Sequence, residues 1–241
     1  MPALKNYILF PVFVISVIVS WFIWDRSPEY IRQGGPLLVV GLTCLFLVFT
    51  FCVERFLVLW RAGGRGSVPG FVRNVKQTVE GGEIGAAIAA CKQQGGSLAN
   101  VIGAGLERFE RGRAGNADRR EVMDETRRAI QEASSLESPL LERNLTALST
   151  LASIATLIGL LGTTIGMIRA FHAMSRAGAP DATQLALGIS EALVNTALGL
   201  TTAIIGTVFY NYFTTRVDVF TNRMEETSYQ VLQMLEHRKE S

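Results

Sequence analysis

The sequence predicts an all-α membrane protein in which four apolar stretches surround a charged helical insert. Two observations carry this. Hydrophobic residues are 49% of the 241 positions and charged residues only 18%, whereas soluble domains run to about 25% charged. The charges are also unevenly placed: four long stretches carry almost none, and the segment from Arg61 to Arg143 carries many. A single globular core does not produce that segregation; membrane spans around a soluble insert do.

A spanning helix needs about 20 mostly apolar residues. Tyr7–Trp24 is uncharged and ends in Trp21 and Trp24, placed like an interfacial aromatic belt. Lys5 before it fits a signal peptide, but Trp21-Phe22-Ile23-Trp24 lacks the small residues of a cleavage site, which favours a retained spanning or membrane-lying helix. Pro36–Trp60 is apolar up to Glu54 and Arg55, expected at the membrane surface; Leu145–Ile168 and Ala192–Thr215 are uncharged, the latter with helix reaching back to about Gln184. The expected division is 1–35 (N-terminal apolar helix and short outer loop), 36–60 (span), 61–144 (cytoplasmic helical region), 145–173 (span), 174–183 (outer loop), 184–215 (span) and 216–241 (cytoplasmic tail).

Orientation follows from the basic residues. The segment Arg61–Arg143 holds thirteen Lys and Arg and the tail after Thr215 four, while the other loops carry only Arg26, Arg32 and Arg176. Two crossings separate the rich segments, so both fall inside, and the N-terminus with Lys5 falls inside too.

The insert reads as helices. Gly63–Gly66 is a linker; Val68–Val79, Glu83–Gln94 and Leu98–Phe109 have helical apolar spacing, broken at Gly81-Gly82 and Gly95-Gly96, with Ser97 as an N-cap. Arg119–Leu136 places Val122, Ala129, Ile130, Ala133 and Leu136 on one face and runs towards the third span, with Pro139 as a kink. A net charge of +2 without an aromatic-laced basic patch argues against nucleic acid. Cys44, Cys52 and Cys91 have no metal-binding spacing and read as small buried hydrophobes. His172 and His237 are far apart, and no nucleophile–base pair, phosphate loop or metal cluster is present. No enzyme and no cofactor is implied.

The last two spans are the specific part. Small and hydroxyl residues recur at Ala152, Thr156, Gly159, Thr163, Gly166 and Ala170, and at Ala192, Thr196, Gly199, Ala203 and Gly206, in alternating steps of four and three. Each set forms a stripe on one helix face, and Gly162 adds a further small residue to the first helix. Such stripes let helices approach closely in lipid, so helix packing alone is one reading. The hydroxyls on the stripes and Glu191 at the start of the fourth span's run point to another, because an intramembrane acid is costly and marks a functional site. Glu191 equally reads as an outer-surface residue or as a structural pair with Arg169 or His172.

These motifs, GLLGTTIGM at Gly159–Met167 and EALVNTALGL at Glu191–Leu200, resemble the signature helices of the ExbB/TolQ/MotA proton-channel family, and the resemblance covers roughly residues 36–220. It implies three family spans, with Tyr7–Trp24 as an addition to the ExbB and TolQ pattern. It implies a ring, a pentamer in the family architecture, enclosing single-span helices of an ExbD-, TolR- or MotB-like partner and engaging a TonB-like protein. By motif position, Thr163 and Thr196 match the threonines lining the ion path and Glu191 the acid of the last span. Thr156 stands where many members have proline, which leaves sodium open beside protons as the coupling ion. The insert looks ExbB- or TolQ-like rather than MotA-like. The rival readings are a non-conducting scaffold and, less supported for want of an inverted repeat, a secondary transporter.

Overall fold

The computed structural model describes residues 3–28, 32, 34–115, 118–175 and 182–237. Among them the secondary structure is helical, without strands. The helices are α1 (Ala3–Arg26), α2 (Gly35–Ala62), α3 (Val68–Glu80), α4 (Ile84–Gln94), α5 (Ser97–Ala114), α6 (Arg119–Glu142), α7 (Leu145–Ser175) and α8 (Ala182–His237). Three helical stretches, Gly35–Ala62, Arg119–Ser175 and Ala182–His237, are long and apolar enough to cross a membrane. α1 is a further apolar helix that continues through Pro11. At 56 residues, α8 is about 84 Å long at 1.5 Å per residue, against a hydrocarbon core of about 30 Å. The expected outer loop falls largely on residues 176–181, outside the described residues.

The chain forms two compact units, residues 1–54 with 144–212, and residues 55–143 with 213–241. In the second, the short helices bury Phe71, Val75 and Val79 of α3, Ile88 and Cys91 of α4, Ile102 and Leu106 of α5 and Ile130 of α6 in one core with Met224, Val231 and Leu235 of α8. Ser67 caps α3 by accepting from the Gly70 amide, as a residue with a short oxygen-bearing side chain does. The guanidinium of Arg119 donates to the carbonyls of Leu235 and Glu236 at the end of α8, where cations meet the negative end of the helix. Arg55 is buried with its Nη1 donating to Leu141 O at 3.1 Å, so its charge is spent at the end of α6 rather than at an open surface.

Two local expectations change, and the break before α7 is located. Ser97 is the first buried residue of α5, and Gly96 with φ 83° holds the cap position without a side-chain bond. Leu136 is 72% exposed, and the buried face of α6 runs instead through Val122, Met123, Thr126, Ile130 and Leu141. Pro139 lies inside α6, which continues to Glu142; the break before α7 falls at Arg143–Asn144, where Asn144 takes φ 62° and donates from Nδ2 to Glu54 Oε2 at 3.2 Å.

Candidate functional site

In the first unit α7 and α8 run antiparallel and meet along glycines. A methyl group placed on Gly159 would meet Gly199 Cα at 3.3 Å and Thr196 Cα at 3.4 Å. On Gly166 it would meet Gly188 O at 2.6 Å, and on Gly206 Ala152 Cβ at 2.8 Å. On Gly162 it would run into the Asn195 side chain. Lipid supplies no hydrophobic drive between helices, so this close backbone approach is what holds the pair.

The buried seam of α7 consists of Leu148, Ala152, Ala155, Gly159, Gly162, Gly166 and Ala170. That of α8 includes Gly188, Ala192, Asn195, Gly199, Thr202 and Gly206. Both are shifted from the expected stripes: Ala155 and Gly162, not Thr156 and Thr163, complete the first, and Asn195 and Thr202, not Thr196 and Ala203, the second. Thr156, Thr163, Thr196 and Ala203 are half-buried along the edge of the seam.

That edge has a definite side. On the opposite flank of α8, Leu198 fills the space over Gly41 of α2, Glu191 lies against Gly35, and Asn195 donates to Gly34 O at 2.9 Å. α2 with Gly34 therefore covers the Glu191–Asn195–Leu198 flank. At about 100° per residue, Thr196 and Ala203 fall on the other flank, as do Thr156 and Thr163 on α7. Because the two helices are antiparallel, all four open to the same side of the pair, away from α2.

Every hydroxyl proton on this edge is directed to a backbone carbonyl. Thr163 donates to Leu160 O at 2.6 Å and Thr156 to Ala152 O at 3.5 Å. Thr196 reaches both Ala192 O at 3.0 Å, in its own helix, and Gly159 O at 3.1 Å across the seam. Their oxygens retain lone pairs that can accept a hydrogen bond. Sequence reasoning named these threonines, but it missed Asn195, only 4% exposed. The signal was present, since an amide inside an apolar span is costly unless it is bonded. Glu191 is separated from the threonine edge and pairs with Arg169, which donates to both its carboxylate oxygens at 2.5 and 2.6 Å. Among the described residues no group of His, Cys, Asp and Glu could hold a metal ion.

The chain shares sequence with several known proteins. The chain is 43% identical over 91 residues to an ExbB-like protein of Synechocystis sp., an overlap of 37% of this chain and 43% of the relative. It is 38% identical over 115 residues to the Tol-Pal system protein TolQ of Haemophilus influenzae, covering 47% and 50%. It is 29% identical over 197 residues to an ExbB homologue of Methanothermobacter thermautotrophicus, covering 82% and 66%. The chain thus spans about half the length of the first two curated relatives. The model of one family matches residues 95–226, more than half of the chain and the whole of the glycine seam with its threonine edge: the chain belongs to the MotA/TolQ/ExbB proton channel family.

Proposed function

We propose that this chain is the channel-wall subunit of an ion-driven motor in the bacterial inner membrane, and that Thr163 and Thr196, with Thr156 below them, line its ion path. The observation that carries the reading is the row of half-buried hydroxyls on the free edge of a glycine-packed helix pair. Exposed Leu157, Leu160, Leu193 and Leu200 lie on the same two helices, apolar surface that neighbouring helices or lipid must cover. Several copies arranged in a ring, a pentamer by family likeness, would turn the hydroxyl edges towards an enclosed single-span helix of an ExbD- or TolR-like partner. In this reading the segment 61–144 and both termini are cytoplasmic.

The chemistry requires that partner. A threonine hydroxyl relays or solvates a proton but cannot hold one as a charge. A carboxylate on the enclosed helix loses its hydration as the ring closes around it, which favours its protonated form; hydroxyls at its depth then stabilise the charged form and allow release. We assign the work to an ExbB-type system, driving a TonB-like protein for outer-membrane transport. The match to a TolQ protein supports envelope maintenance as the second reading. Replacing Thr163 or Thr196 with Val is nearly isosteric. With an ExbD- or TolR-like partner co-expressed, each variant is expected to keep the complex in pull-down yet lose growth support in a strain lacking its own ExbB or TolQ. Full activity in both would establish the scaffold reading instead. Which deletion strain the wild type rescues separates the two systems.

A further inference from the structure

At the end of the first unit that carries Gly34 and Gly35, three segments meet in a polar cluster. Arg169 of α7 donates to both carboxylate oxygens of Glu191 on α8 at 2.5 and 2.6 Å. The Glu191 side chain is 9% exposed and that of Arg169 55%, so the pair is sealed on the acid's side only. One turn along α8, Asn195 Nδ2 donates to Glu191 O at 3.0 Å and to Gly34 O at 2.9 Å. Both partners are carbonyls, which fixes the amide's orientation. Gly35 adopts φ +66°, and a methyl group there would lie 2.6 Å from Glu191 Oε1. Position 35 thus excludes side chains by backbone conformation and by space, and the carboxylate sits under its backbone.

We infer that Glu191 is the fixed counter-ion of Arg169 in a clamp fastening residues 34–35 to the α7–α8 pair, with Arg169 and Asn195 as positioning residues, and that Glu191 is not an ion carrier. Three facts carry this. Both of its oxygens are engaged by one guanidinium nitrogen. It stands five residues before Thr196, about 140° around the helix, so one narrow path cannot be lined by both. It also faces the flank covered by residues 34–35 and α2. An intramembrane charge requires a partner, and here the partner is supplied within the chain.

The test is charge reversal in the full chain. Arg169→Gln and Glu191→Gln are each expected to lower the Tm of the detergent-purified protein by several degrees, and Gly35→Ala to do the same. Arg169→Lys and Glu191→Asp should retain part of the loss. The double reversal Arg169→Glu/Glu191→Arg should recover most of the stability and, with the partner co-expressed, support growth with the wild-type pH dependence. Single variants with wild-type Tm, or a reversal no more stable than the singles, would overturn the clamp. A reversal that regains stability but not activity would return the Glu191 carboxylate to the ion path. The melting arm does not depend on ion flow. Were the wild type itself inactive, the motor reading would fail while the clamp was still decided by Tm.

Discussion

The glycine seam makes a signed prediction from one chemical change at two positions. Adding a methyl group at Gly199 places a carbon 2.6 Å from Ala155 O, 2.8 Å from Gly159 Cα and 2.9 Å from Gly159 N. All three are backbone atoms of α7, and none can rotate away. Carbon contacts are comfortable at about 3.5 Å or more, so the helices must separate by about 0.7 Å at this point. Overpacking of that kind costs about 1–3 kcal/mol, against which alanine recovers about 0.5–1 kcal/mol of helix preference over glycine. Gly199→Ala should therefore destabilise by about 1–2 kcal/mol. At Gly41 the methyl meets only Leu198 Cδ2 at 2.8 Å and Cγ at 3.5 Å, the end of a side chain that can turn for about 0.5–1.5 kcal/mol. The helix gain nearly cancels this, and Gly41→Ala should fall within about 0.5 kcal/mol of wild type. The assay is reversible unfolding of the purified protein in mixed micelles, titrated with denaturing detergent. If Gly41→Ala costs as much as Gly199→Ala, backbone approach is not what holds α7 to α8.

Two further outcomes are expected. Burial in the α4–α5 core, reinforced by Glu107, pushes the Cys91 thiol from its ordinary value of 9.0 up to about 12. The folded state then holds its proton where the unfolded chain releases it, so stability is fully present below pH 9 and falls by about 1.4 kcal/mol per unit as pH rises towards 12; Cys91→Ala should flatten this slope in alkaline unfolding curves. In a background with Cys44, Cys52 and Cys91 replaced by Ala, an impermeant maleimide added to intact cells should label Ser175→Cys and not Ser134→Cys; the reverse pattern would invert the proposed topology.

The helices were legible because their causes are local. Apolar length announces α2, α7 and α8, and glycine pairs end α3 and α4. The packing seam was only half legible. Alternating four- and three-residue steps through Thr156 and Thr163 describe a face about 40° from the true one, since Ala152, Gly159 and Gly166 belong to both patterns. What selects between them is the neighbour on the other flank: α2 covers Leu198 and Glu191, and spacing within α7 or α8 carries no record of that. Asn195 was hidden for the same reason, because its partner Gly34 is 161 positions away. Leu136 failed differently. It continues the apolar spacing of α6 but is left exposed, as exposed apolar residues often are. The positive φ at Asn144 marks a break between α6 and α7 that the apolar spacing does not announce.

The motor and scaffold readings separate most cleanly at two threonines that differ in burial. Thr202 is 0% exposed and lies in the buried seam, its hydroxyl donating to Leu198 O at 2.9 Å. Thr163 is half-buried at the free edge and also bonds within its own helix. Replacing either with Val keeps the volume close and removes one hydroxyl bond, worth about 0.6 kcal/mol on average inside a membrane protein, too little to unfold the chain. Thr196 is a less clean probe because its loss also removes the bond to Gly159 O across the seam. If the stripes serve packing alone, Thr202→Val should matter at least as much as Thr163→Val, since buried positions carry more packing. If hydroxyls at the edge serve an ion path, the order reverses: Thr202→Val keeps partner-dependent growth and Thr163→Val abolishes it, with both complexes intact in pull-down. Equal activity in the two variants would remove the ion-path role from Thr163 and leave the glycine seam as the sole function of these helices.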